Sequence, residues 1–192
     1  NAQAKEAYYL RHLEKLFENQ PEIFKKILIN RGGQKGDTGE YAPVKVEVQG
    51  LAAENIVYDQ PTEYKFIYDN IAFEVFCRFK LNKPLVVFGQ SAITPPVKLP
   101  IFHRWSWIEE GDYSALFIND ATLYLDEKLE GGWLQGTENH FYMDTYITII
   151  RNFAKLLNIS HSQILFFGSS AGGFTSMQMA TRLKGSHALV QI

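Results

Sequence analysis

The residues of this chain best equipped for chemistry stand in one run, Gln163-Ile-Leu-Phe-Phe-Gly-Ser-Ser-Ala-Gly-Gly-Phe174. Within it, Gly168-Ser169-Ser170-Ala171-Gly172 fits the pattern G-x-S-x-G, which suits a serine that attacks a carbonyl carbon. The pattern has mechanical meaning only where a strand turns sharply into a helix. Such a turn forces Ser170 into a strained backbone conformation, and side chains two positions to either side would collide. Gly168 and Gly172 leave that space open. The hydroxyl is then carried at a helix N-terminus, where the backbone N–H of Ala171 can stabilise a developing oxyanion. A glycine-rich turn can instead bind phosphate. A Walker-type loop needs Lys followed by Ser or Thr, however, and Gly172-Gly173-Phe174-Thr175 has no such Lys. The dinucleotide pattern G-x-G-x-x-G is also missing. Serine attack on an acyl group leads, with phosphate binding by the turn as an alternative.

The elements that must position this serine are legible on both sides of it. Ile164 to Phe167, four consecutive apolar residues, predict a short strand buried on both faces. Ala171 to Lys184 reads as a helix closed by Gly185. Earlier, Pro84-Leu-Val-Val-Phe88 and Tyr113-Ser-Ala-Leu-Phe-Ile118 are unbroken apolar runs of the same kind. Thr137 is placed to cap a helix whose stripe is Tyr142, Tyr146, Ile149, Ile150, Phe153 and Leu157. His187 to Ile192 begins one more strand. Strands near 85–88, 115–118, 164–167 and 188–192 should therefore lie parallel in one sheet. Helices near 138–157 and 171–184 should pack on it.

Upstream, from Tyr41, the apolar period is two. Val44, Val46 and Val48 form one run, Tyr64, Phe66 and Tyr68 a second, and Ile71, Phe73, Val75, Cys77 and Phe79 a third. Asp69-Asn70 matches a two-residue hairpin turn, because both residue types tolerate positive φ. These runs predict an antiparallel section with one buried face. Thr94 to Pro100, with three prolines, is an extended loop, and the aromatic stretch Phe102 to Trp107 surrounds His103 and Arg104. Thr122 to Gly136 reads as a long loop. Residues 4–18 carry a helical stripe, Pro21 opens a second helix, and Arg31 to Gly39 is a glycine-rich linker. The chain thus divides into a helical segment with linker (1–40) and an α/β domain (41–192).

Over residues 63–192 this order, with the serine turn, resembles the α/β-hydrolase superfamily. The resemblance implies a mixed sheet with N-terminal antiparallel strands and central parallel strands flanked by helices. It implies Ser170 as nucleophile, with oxyanion donors from the Ala171 amide and from Gly89-Gln90-Ser91, Gln90 being the choice there. The activity it implies is a serine hydrolase or acyltransferase acting on an ester, with no metal or organic cofactor. The segment between the first two central strands departs from the pattern, being proline-rich and aromatic. In this superfamily the order is Ser, then Asp or Glu, then His. After Ser170 there is no Asp or Glu, and the one histidine, His187, opens the next strand at the wrong edge of the sheet. His161 precedes the serine's own strand, His12 lies in the first helix and His140 reads as a solvated residue opening a helix. His103 is the best substitute left, because it follows the loop from the oxyanion strand, with packing its commoner use, and Asp120 is expected to cap its own turn. The economical expectation is the N-terminal part of a longer hydrolase whose acid and base lie beyond Ile192. An uncovered sheet edge there would invite a homodimer. The alternative is a non-catalytic module of the same fold that binds a partner or glycan. Trp105, Trp107 and Trp133, if exposed, could stack on a sugar.

Composition bounds these readings. The 192 residues are 46% hydrophobic, 21% charged and 14% aromatic, within the range of a globular protein with an aromatic core. A net charge of −2, from 19 basic and 21 acidic residues in no long block, gives no footprint for nucleic acid. Cys77 stands alone, so an internal disulfide and a cysteine zinc site are excluded, and its alternating context predicts a buried thiol. With no signal peptide and no membrane span visible, the expected location is the cytoplasm.

Overall fold

The computed structural model describes residues 43–109 and 111–191. The expected N-terminal helices, the glycine-rich linker, His12 and the last residue of the final strand lie outside these residues. Seven strands form one sheet: β1 (Val44–Val48), β2 (Thr62–Tyr68), β3 (Ile71–Arg78), β4 (Leu85–Phe88), β5 (Ser114–Ile118), β8 (Ile164–Ser169) and β9 (His187–Gln191). Their order across the sheet is β1-β2-β3-β5-β4-β8-β9. β5, β4, β8 and β9 run parallel, as expected, with Phe88 level with both Phe117 and Phe167. β3 is antiparallel to both its neighbours. The hairpin turn between β2 and β3 has positive φ at Asp69 and Asn70, 49° and 62°.

β1 departs from expectation, because it pairs parallel with β2. The connection explains this. Residues 49–61 are long enough to travel back along the sheet, as a parallel crossover needs about a dozen residues. The Tyr64 hydroxyl pins that crossover, donating to the Asn55 carbonyl and accepting from the Val57 amide at 2.8 and 3.0 Å.

Two helices follow, α1 (Tyr142–Leu156) and α2 (Ala171–Arg182). Thr137 does not cap α1. It belongs to a small hairpin of β6 (Gly136–Thr137) and β7 (His140–Phe141), which spends four residues before the helix can begin. The stretch read as a loop from Thr122 also contains a 3₁₀ turn, Ala121–Tyr124, capped by the Asp120 carboxylate through the Thr122 amide.

Strand pleating sorts the sheet into two cores. Leu85, Val87, Leu116, Ile118, Ile164 and Phe166 pack with both helices, including Phe153 of α1 and Met179 of α2. Val86, Phe88, Phe117, Leu165 and Phe167 face the other way. That second face is covered by Phe102, Trp105, Trp107, Ile108 and Tyr113, around a 3₁₀ turn at Trp105–Glu109. Trp105 and Trp107 are therefore core residues and offer no platform for a sugar, whereas Trp133 is exposed. Cys77 is buried, and burial pushes its thiol pKa well up. Glu74 is a buried carboxylate that accepts from the Tyr124 hydroxyl at 2.6 Å and the Asn119 side-chain amide at 3.1 Å. It ties β3 to the end of β5.

Candidate functional site

The carboxyl ends of β4, β5 and β8 share one edge of the sheet, the edge at which open α/β sheets collect ligands. Ser170 stands there, between the last residue of β8 and the first of α2. Its backbone has φ 50° and ψ −126°, outside the broad regions open to residues with a side chain. Its amide donates to the Gln191 carbonyl of β9 at 3.2 Å, while its carbonyl accepts from the Gly173 and Phe174 amides at 3.0 and 3.1 Å. One residue thus ends the ladder and starts the helix. The side chain is exposed and makes no capping hydrogen bond.

The glycines around it are required by contact. A Cβ on Gly168 would stand 2.2 Å from the Gly172 carbonyl oxygen and 2.3 Å from its carbon. A Cβ on Gly172 would stand 2.7 Å from the Gly89 oxygen and 3.0 Å from the Gln90 oxygen. Gly89 completes the set, since its own Cβ would meet the Gly172 oxygen at 2.7 Å. The loop after β4 and the first turn of α2 therefore touch backbone to backbone. This brings the main chains of Gln90 and Ala171 to the same corner. The first amides of a helix have no acceptor within it, so Ala171 heads α2 with a donor to spare. Gln90 is buried; its side-chain oxygen accepts from the Asp120 amide at 2.5 Å, and its buried Nε2 has no hydrogen-bond partner.

Asp120 is structural, as expected. Its second carboxylate oxygen accepts from the Gly132 and Leu134 amides at 3.0 and 3.2 Å, so the loop after β5 is built around it.

A second group at this edge was not visible in the sequence. The Ser91 amide donates to His103 Nδ1 at 2.9 Å, and the Ser91 hydroxyl donates to the Ser169 carbonyl at 2.9 Å. Arg104 donates from Nη2 to the Ser169 hydroxyl at 2.5 Å. Its guanidinium carbon lies 5.4 Å from the Phe167 ring centre and 5.7 Å from that of Trp107. The segment that covers the second face of the sheet thus also delivers two basic side chains beside the serine turn. The only sequence signal was their place among aromatics.

His103 is a poor base. An amide donating to Nδ1 fixes the neutral ring with its proton on Nε2. Burial, aided by the neighbouring Arg104 charge, holds its pKa down at about 4. The consequence is measurable. A histidine whose folded pKa lies below its unfolded value of about 6.5 adds stability above that value and loses it as pH falls toward 4. The shift corresponds to on the order of 3 kcal/mol. The urea midpoint should therefore drop between pH 6.5 and 4, and His103→Gln, which can still accept from Ser91, should flatten that part of the curve. An equal slope in both proteins would show that His103 is not buried as described.

The other histidines lie elsewhere. His187 is level with Leu165, five residues below Ser170 and so about 16 Å away along the strand. His161 precedes β8 at the same far edge, its Nδ1 3.1 Å from the Lys184 carbonyl oxygen. His140, expected to be solvated, is half-buried against Phe73 and Tyr142. Its neighbour β3 is three strands from β8, roughly 14 Å across the sheet. Among the described residues no group of three His, Cys, Asp or Glu could hold a metal ion, and no helix is long and apolar enough to cross a membrane.

No protein-family model matches the chain, and no curated protein matches it. Solved structures do. The glycosylation-associated protein complex Gap123 of Streptococcus agalactiae is similar over 67% of this chain and 23% of its own, at 17% identity and a TM-score of 0.50. The capsule O-acetyltransferase of Neisseria meningitidis serogroup A covers 64% of this chain with 52% of its own, at 14% identity and a TM-score of 0.46. Dipeptidyl peptidase 4 of Porphyromonas gingivalis covers 67% with 20%, at 14% identity and a TM-score of 0.43. This chain thus spans under a quarter of the first structure and about half of the second. At this identity the likeness to the first is one of fold.

Proposed function

We propose that Ser170 is the nucleophile of an acyl-transfer reaction, in which an ester is hydrolysed or its acyl group is passed to another acceptor. One observation carries the reading. A serine, not a glycine, occupies a positive-φ turn, and its exposed hydroxyl caps nothing although it heads a helix. A non-glycine residue held in such a conformation costs roughly 1–3 kcal/mol, a cost that persists where function requires it. In the reaction, Ser170 Oγ attacks the carbonyl carbon and gives up its proton to a base. The tetrahedral oxyanion accepts hydrogen bonds from the Ala171 amide and the Gln90 amide. Collapse expels the alcohol, and water or an acceptor hydroxyl then releases the acyl group. The fold seen in the sheet and the serine turn both agree with the α/β-hydrolase resemblance, in which the acid and base follow the serine in the chain.

The test is covalent. A fluorophosphonate probe on the intact protein should label Ser170, located by peptide mass spectrometry. The distance of His140, His161 and His187 from Ser170 favours a second reading, a module of this fold that binds without catalysis. Absence of label on the intact, folded protein would select that reading.

A further inference from the structure

Arg104 is an unusual residue for its surroundings. It has positive φ, 62°, a conformation uncommon outside glycine. Its guanidinium lies against two aromatic rings, and burial lowers its pKa. Among the described residues no carboxylate forms an ion pair with it. A partly desolvated cation without a counter-charge is costly. Contact with aromatic faces returns only about 0.5–2 kcal/mol. A single hydrogen bond to Ser169 could be made by a neutral donor, so a cross-link between the loop and β8 does not account for the charge. Four of the five guanidinium N–H groups remain for a further acceptor beyond the one bonded to Ser169. Ser169 is the chain neighbour of Ser170, and consecutive Cα atoms are about 3.8 Å apart. The charge is therefore tied to the chain neighbour of the proposed nucleophile.

We propose that Arg104, braced on Phe167 and Trp107 and bonded to Ser169, holds an anionic oxygen group of the substrate, carboxylate or phosphate, beside Ser170. This rests on the acyl-transfer reading for the word substrate; the anion site itself does not. The guanidinium fork suits either oxyacid, donating two parallel N–H hydrogen bonds to two of its oxygens. His103 next to it stays neutral and adds no second charge, so the site takes one anionic group and does not form a broad basic patch. The substrate class is then an ester that carries its own negative charge.

Calorimetric titration of the intact protein with inorganic phosphate and, separately, with succinate tests the site, with chloride as the control anion. Wild type and Ser170→Ala should both bind. Arg104→Met should bind at least about tenfold more weakly. Arg104→Lys should lie between, because an ammonium keeps the charge but not the fork. Relative preference for phosphate or succinate distinguishes the two oxyacids. In turnover, the ratio of kcat/KM for p-nitrophenyl hemisuccinate to that for p-nitrophenyl butyrate should fall by about tenfold in Arg104→Met. A merely structural Arg104 would lower the melting temperature and leave that ratio and the anion affinities alone, and such a result overturns the proposal. So does failure of both anions to bind wild type. Should Arg104→Met not fold, the comparison with Arg104→Lys decides by the same criterion. Arg104-dependent anion binding by a protein whose Ser170 takes no label would retain the site and remove the nucleophile.

Discussion

Ser170→Ala is expected to abolish ester turnover by the intact protein, by a factor on the order of 10⁵–10⁶ in kcat, the scale of nucleophile removal in serine enzymes. What survives is the share owed to the oxyanion amides and to binding, roughly 10³–10⁴ over water. The substitution tests chemistry cleanly because the hydroxyl supports nothing else: it makes no capping hydrogen bond and lies exposed. Alanine carries the same Cβ as serine, so the strain of the turn is unchanged and the melting temperature should hold. Hydrolysis of p-nitrophenyl acetate, with Tm as control, gives the answer. Residues 1–192 alone should hydrolyse the ester slowly, if the base follows Ile192 as the resemblance implies. Ordinary serine-dependent turnover by those residues would place a base among them, and undiminished turnover by Ser170→Ala would remove the nucleophile assignment.

Gly168→Ala should destabilise the domain by about 3 kcal/mol or more, at the upper end of what overpacking costs. The new methyl would meet the Gly172 oxygen at 2.2 Å, the Gly172 carbon at 2.3 Å and the Gly173 nitrogen at 2.8 Å. All three are backbone atoms in the first turn of α2, so no side chain can rotate aside. Either the helix moves off β8 or the strand end shifts, and both displace Ser170 from the Ala171 and Gln90 amides proposed as its oxyanion donors. Gly173→Ala supplies the contrast. Its Cβ would meet the Gly168 oxygen at 3.3 Å and Val190 at 3.4 Å, a strain of a few tenths of an ångström. Replacing a helical glycine by alanine returns about 0.8–1.0 kcal/mol, so that variant should be near neutral. Urea denaturation of both, side by side, checks the pair. Equal midpoints would mean that the close approach between β8 and α2 is absent.

The elements that carry their own period were readable from residues alone. β4, β5 and β8 are short apolar runs, α1 has a continuous stripe, and the Asp69-Asn70 turn names itself by residue type. The serine turn was readable because its glycines and its hydroxyl fall within five residues. The direction of β1 was not, because pairing direction depends on the path of the connection rather than on alternation within the strand. Thr137 misled for a related reason: a good capping residue acts only if the chain enters a helix at that point, and here a hairpin comes first. The burial of Trp105 and Trp107 was hidden since their stretch has no regular period and packs as a 3₁₀ turn. The contact of Arg104 with Ser169 joins positions 65 apart in sequence, and nothing local marks it.

The segment from Phe102 to Ile108 is at once part of the cover of the second core and the carrier of His103 and Arg104. Lifting it would wet Phe88, Phe117 and Phe167 and break the Ser91–His103 bond in the same motion. Solvent deuterium can therefore reach the Ser91 amide only when that layer opens. Its exchange rate measures the free energy of that opening, and an anion held by Arg104 would slow the exchange from outside the core.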